Sequence, residues 1–128
     1  MSDNPRAQRF ADALQALEKG DDQALLDQFG DGAELKRPER KHGPGKEADA
    51  STFWQQYLAE FDSIATEFDR VVESGDEAVL EWHSSGTLAT GRDIHYAGVS
   101  LLTFDGDSVS RFATYYDTAA FIEPTTTD

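Results

Sequence analysis

Glu81 and His83 stand two apart in a strand-like run, so they share one face at the spacing of a carboxylate–imidazole acid–base pair. Arg37 is the sharpest single residue. Pointing inward beside hydroxyl groups, its fixed guanidinium would bind a carboxylate, phenolate or enolate oxygen. Pointing outward, it belongs to a basic loop. Lys36, Arg37, Arg40, Lys41 and Lys46 place five of the chain's eleven basic residues close together, with His42 among them. Such a cluster can steer anions toward a rim or pair with acidic surface. The three histidines, His42, His83 and His95, show no HxH or HxxxH spacing, and there is no cysteine. No metal centre, disulfide or thiolate nucleophile is therefore expected. A Gly-rich phosphate loop and a nucleophile-elbow serine are both missing, so no cofactor is expected either.

The elements that must position these groups belong to one domain of 128 residues. Residues 1–122 read as that domain and 123–128 as a disordered tail. The net charge of −14 opposes a nucleic-acid partner, whose phosphates need a basic face. No apolar run approaches a membrane span, and the N-terminal residues lack the pattern of a secretory signal, so a cytoplasmic location is the expectation.

Asn4 and Pro5 suit the start of a helix whose apolar stripe is Ala7, Phe10, Ala11, Leu14 and Leu17, ended by Gly20. A short second helix, capped by Asp21 or Asp22, runs through Leu25 and Phe29 to Gly30. A first strand over 33–37 stops at Pro38, and 39–48 is a polar loop. The spacing of Phe53, Trp54, Tyr57, Leu58, Phe61 and Ala65 predicts a third helix starting near Asp49 or Ser51. Strands follow over 66–74, 78–89, 94–104 and 108–116, joined by Gly75-Asp76, by 90–93 and by Asp105-Gly106-Asp107. Helices first and a meander afterwards make the chain α+β.

A turn centred at Gly91 pairs Gly86, Ser84, Trp82 and Leu80 near Tyr96, Gly98, Ser100 and Leu102, on one face. The opposite face carries Glu81, His83, Ser85 and Thr87 with His95, Ala97, Val99 and Leu101. On this register Glu81 and His83 form a surface or interface hydrogen bond. A one-residue slip would bring them inside as a general base and its partner. The helices must cover one face. The other bears Val99, Leu101, Ala113 and Tyr115, apolar enough to predict a homodimer through it.

The chain resembles the SnoaL-like branch of the nuclear transport factor 2-like fold from about Ala7 to Phe121. The carriers are Phe10-Ala11-Asp12-Ala13-Leu14, then Lys19-Gly20-Asp21, and Phe53-Trp54-Gln55-Gln56-Tyr57. Val79-Leu80-Glu81-Trp82, Tyr96-Ala97-Gly98-Val99-Ser100 and Tyr115-Tyr116-Asp117-Thr118-Ala119-Ala120-Phe121 complete it. The resemblance implies a cone of three N-terminal helices packed on a curved antiparallel sheet, with an internal pocket. Its relatives include ketosteroid isomerases, limonene epoxide hydrolases and polyketide cyclases, and a shared fold does not transfer activity.

Residue by residue, the isomerases' hydrogen-bonding positions fall on Phe10 and Ser100, and their base falls on Arg37. Phe10 cannot donate a hydrogen bond, and an arginine stays protonated. The last-strand acid of cyclases and epoxide hydrolases falls on Thr114, and the hydrolases' paired positions on Gly98 and Ser100. Asp117 is the nearest carboxylate to that set, and the resemblance makes it structural. The expected pocket is aromatic and hydroxylic: Phe10, Trp54, Tyr57, Trp82, Ser84, Tyr96, Ser100, Phe112, Thr114 and Tyr116, with Arg37 at its edge. Such walls suit a flat, partly apolar molecule, and Arg37 at the edge suits an anionic or enolic one. Binding without acid–base catalysis is the leading expectation. An isomerase, cyclase or hydrolase using Glu81 with His83, or Asp117, is the alternative, and a dimerisation module with a filled cone is a third.

Overall fold

The computed structural model describes residues 5–38 and 50–121. Helix α1 spans Pro5–Glu18 and helix α2 Gln23–Leu26; strand β1 runs over Phe29–Lys36 and helix α3 over Ala50–Leu58. Four strands follow: β2 Phe61–Ser74, β3 Glu77–Leu88, β4 Asp93–Asp105 and β5 Ser108–Tyr116, with a 3-10 helix at Thr118–Phe121. The expected cap Asn4, the polar loop with Arg40, Lys41, His42 and Lys46, and the tail lie outside the described residues.

The sheet order is β1-β5-β4-β3-β2. Neighbours from β5 to β2 are antiparallel, but β1 pairs with β5 in parallel. The sheet is therefore mixed, not wholly antiparallel as expected. β1 and β2 occupy opposite edges, and the segment containing α3 carries the chain between them, so β1 can run alongside β5 in the same direction.

Two boundaries differ from the sequence reading for local reasons. Phe29 and Gly30 begin β1 instead of ending α2. α3 stops at Leu58, and Phe61 opens β2. A short-range bond from Glu60 N–H to Tyr57 C=O tightens the helix end, and Ala89 N–H takes the Glu60 carbonyl, stitching that end to the sheet. Phe61 and Ala65 thus satisfy helical spacing while lying in a strand.

The β3–β4 register also moves. Ser84 pairs with Tyr96, Trp82 with Gly98 and Leu80 with Ser100, two residues from the expected pairing. The turn is centred at Thr90, where Gly91 N–H bonds the Leu88 carbonyl and Leu88 N–H bonds that of Arg92. An even shift leaves every side chain on its face, so the inside–outside assignment stands.

The inner face and the helices enclose an aromatic core. Phe10 is buried, stacked on Phe112 with centroids 5.5 Å apart and edge-on to Phe29 at 6.0 Å. The N-terminus of α1 is capped from a distance: Glu73 Oε1 accepts from the backbone N–H of Arg6 and of Ala7, each at 2.9 Å, and its Oε2 from Arg6 Nε at 2.7 Å. Arg6 reaches on to the Gly75 and Gly106 carbonyls, tying the helix to the β2–β3 and β4–β5 turns.

Candidate functional site

Cross-strand register arranges the inner-face polar groups in rows. Thr66, Ser84 and Tyr96 are direct neighbours across β2, β3 and β4. Trp82, Gly98 and Tyr116 form the next row, then Leu80, Ser100 and Thr114. Each row brings residues distant in sequence within side-chain reach.

Between these rows and the helices lies a pocket of about 370 Å³, counting its open mouth. The enclosed part has room for about two water molecules. Eight of the residues expected at the site line it: Arg37, Trp54, Tyr57, Trp82, Ser100, Phe112, Thr114 and Tyr116. Leu14, Phe53 and Thr66 complete the lining. Phe10, Ser84 and Tyr96 are buried on the inner side but stand behind the wall.

Gly98 sets the shape of one side. A Cβ there would lie 2.6 and 2.9 Å from Trp82 ring carbons and 2.4 Å from the Tyr115 carbonyl oxygen, so only glycine lets the indole lie across β4. Trp82 Nε1–H then donates to Ser100 Oγ at 3.0 Å. Ser100 and Thr114 hydroxyls are 2.8 Å apart, and Thr114 donates to the Val99 carbonyl at 3.5 Å. That last bond is long and weak, so the Thr114 proton is readily redirected to a ligand.

Two residues that line the pocket carry further donors. Trp54 is buried, and its Nε1–H has no acceptor among the described residues. Arg37 points inward; its guanidinium lies 5.5 Å above the Phe53 ring and its Nη1 4.0 Å from Glu60 Oε2. It is the sole charged side chain lining the pocket among the described residues.

A second hydrogen-bonded group adjoins the other side. Tyr57 Oη bonds Tyr96 Oη. Burial pushes both phenols far above their ordinary range, so both stay protonated. Thr66 Oγ1 lies 2.6 Å from Ser84 Oγ and donates to Glu18 Oε2 at 2.5 Å, while Thr66 N–H donates to Glu18 Oε1 at 2.8 Å. Burial pushes the Glu18 carboxyl up, against the two Thr66 bonds that pull it down. Sequence reading missed Glu18 and Thr66. A signal was present: Glu18 ends α1, where the helix dipole disfavours a carboxylate unless other groups hold it.

The candidate acids named from sequence lie elsewhere. Glu81 pairs across the strands with Val99 on the outer face and is exposed. His83, on the same face, bonds Asp69 Oδ2 through Nδ1 at 3.0 Å and approaches Glu67 at 3.4 Å; the Asp69 bond raises its pKa. Asp117 follows β5, and its Oδ1 accepts from Ala119 N–H at 2.9 Å, capping the 3-10 helix. None of the three lines the pocket. Among the described residues no cluster of three or more His, Cys, Asp or Glu side chains could hold a metal, and no helix is long and apolar enough to cross a membrane.

Residues 7–112 match the family model of the SnoaL-like domain. The chain belongs to the SnoaL-like domain family. Solved structures agree on the fold. A nuclear transport factor 2-like protein of unknown function from Burkholderia pseudomallei superposes with a TM-score of 0.77 at 19% identity, covering 93% of this chain and 94% of its own. A protein assigned as a SnoaL-like polyketide cyclase from Jannaschia sp. gives 0.73 at 17% identity, over 97% and 98%. TerC, crystallised with polyporic acid, gives 0.75 at 19% identity, over 91% and 95%. A search of curated protein sequences gave no match. At these identities the SnoaL-like neighbours establish architecture, and the chemistry must be argued from the pocket.

Proposed function

We propose that this SnoaL-like domain binds a small, flat, mostly apolar molecule carrying an exposed acceptor oxygen, such as an aromatic acid, phenol or enol. The observation that carries the reading is Trp54, which lines the pocket and whose buried Nε1–H has no acceptor among the described residues. An unsatisfied buried donor costs about 1–3 kcal/mol, and an acceptor atom on the ligand removes that cost. Arg37 supplies positive charge in the same wall, and Thr114 a redirectable hydroxyl. The enclosed part, with room for about two water molecules, is far smaller than the roughly 300–1,000 Å³ of small-molecule pockets, so a ligand enters only as the wall side chains move apart. A structural neighbour crystallised with an organic acid adds weight to an acidic ligand. Since no carboxylate lines the pocket among the described residues, binding is preferred to direct acid–base turnover.

The test compares 1-naphthoate with naphthalene on the wild type and on Trp54→Phe. Losing a bond to a charged acceptor should weaken naphthoate by about 10- to 100-fold and leave the hydrocarbon nearly unchanged. Equal losses for the two would reject the acceptor role. Absence of binding by aromatic acids, phenols and enols alike would favour the filled cone, which the small enclosed volume also suits.

We propose also that two copies pair through the outer sheet face. The four large hydrophobics exposed among the described residues, Val72 (43%), Val79 (42%), Leu101 (37%) and Tyr115 (40%), all stand there. Val72, Val79, Leu101 and Ala113 form one row across four strands. Charged groups of both signs border it, including Glu81, His83, Lys36 and Arg111, as a self-complementary two-fold contact requires.

A further inference from the structure

We propose that Glu18 is the proton acceptor for an ionisable ligand in the pocket and acts through the hydroxyl of Thr66. This inference rests on the binding reading above and adds a protonic step to it.

Thr66 faces two ways. It lines the pocket, and it holds Glu18 by two bonds, from its N–H at 2.8 Å and its hydroxyl at 2.5 Å. Its single hydroxyl proton is given to Glu18, so Ser84, 2.6 Å away, must donate to Thr66. Thr66 Oγ1 is then left with acceptor capacity on the pocket side. Ser84 stands beside Tyr96 across the β3–β4 ladder, and Tyr96 is bonded by Tyr57, which also lines the pocket. With Glu18 ionised, the Thr66 and Ser84 hydroxyls both point their protons toward the one carboxylate. No cation pairs with Glu18 among the described residues, so its charge is stabilised by Thr66 alone. Half-buried and lacking a counter-ion, it is disposed to take up a proton.

The groups facing this region are uncharged at neutral pH: Gln15 on α1, Thr66 on β2, Ser84 on β3, Tyr96 on β4, Tyr57 on α3 and Tyr116 on β5. Arg37 is the charged exception in the wall. The step balances without a co-reactant. The ligand O–H bond breaks and its proton forms a bond to Thr66 Oγ1 as the Thr66 proton passes to Glu18 Oε2. The electron pair stays on the ligand oxygen, and the anion is held by Arg37 and Trp54 Nε1–H. Nothing is oxidised or reduced, and no proton reaches bulk water. The class of ligand selected is a weakly acidic phenol or enol.

The probe is 4-nitrophenol, added one pH unit below its own pKa to the full-length protein in weak buffer. Tryptophan quenching reports binding, colour reports the anion, and a pH electrode counts protons released. In the wild type the bound probe should turn yellow with no proton released. In Glu18→Gln and Thr66→Val it should stay colourless or release a full proton per anion formed, whereas Thr66→Ser should behave as wild type. Circular dichroism confirms that each variant is folded. Quenching with identical colour and proton count in wild type and all variants overturns the relay and leaves the binding reading intact. Quenching with a colourless probe in the wild type overturns it too. No quenching at all by the wild type removes this phenol as a ligand class, and the relay falls with it.

Discussion

Replacing Gly98 with alanine probes how the sheet register shapes the pocket. The added Cβ would fall 2.4 Å from the Tyr115 carbonyl oxygen and 2.6 Å from the Trp82 ring. One neighbour is backbone paired within the β4–β5 ladder and the other a buried indole, so neither yields cheaply. Overpacking of this kind costs about 1–3 kcal/mol. With unfolding entropy near 2.1 cal/mol/K per residue, a chain of this length should lose roughly 4–11 °C in Tm. Trp82 should also move off Ser100, releasing the Ser100–Thr114 pair and changing tryptophan emission. Part of the loss belongs to the indole, so the same substitution in a Trp82→Phe background should cost less than in the wild type. The assay is thermal unfolding of both singles and the double, followed by circular dichroism and fluorescence. A Gly98→Ala protein with wild-type Tm and emission would refute the claim that glycine is required for the indole to cross β4.

Glu73→Gln should lower Tm by roughly 2–7 °C, the value of a lost helix cap of about 0.5–2 kcal/mol, in thermal melts at neutral pH. Burial raises the Glu73 carboxyl, but bonds from Ala7 and Arg6 hold it below the ordinary range. Its stabilisation is therefore present above the unfolded-state pKa and lost as pH falls through the depressed folded value; melts between neutral and acid pH should show this loss in the wild type and not in the variant. Leu101→Glu should convert a dimer to a folded monomer in sedimentation, and a wild type that is monomeric at micromolar concentration would refute pairing through the outer face. The Trp54→Phe and Glu18→Gln tests given above complete the set.

Much of this architecture was legible because its signals are local. The stripe from Ala7 to Leu17, the glycine after α1 and the Asp-Gly turn at 105–106 each dictate structure over a few residues, and all appear where expected. Face assignment survived a misplaced turn because strand periodicity is two, and the error in register was also two. What failed turned on a contact distant in sequence. Phe61 continues the spacing of Phe53 and Tyr57, and the capture of the Glu60 carbonyl by Ala89, 29 positions later, cannot be read from a periodicity. Eight of the eleven residues expected to face a ligand line the pocket, since inner-face alternation and α3 spacing both point there. Glu18 was missed for the opposite reason. In sequence it is one acid at a helix end, and its partner Thr66 becomes a partner only when β2 folds beneath α1.

The charge distribution explains why contact groups must carry recognition here. A net charge of −14 opposes the approach of any anion, and at physiological salt that opposition is screened beyond about 8 Å. On the binding proposal, selection for an acidic ligand therefore has to be made at short range, inside a wall from which carboxylates are excluded among the described residues. Arg37, Trp54 and Thr114 are placed at that range by three different elements: the end of β1, the middle of α3 and β5. Their convergence is a consequence of the parallel β1–β5 pairing, which sets Lys36, just before Arg37, beside Ala113, just before Thr114. The departure from an all-antiparallel sheet thus brings a cation alongside the hydroxyl row.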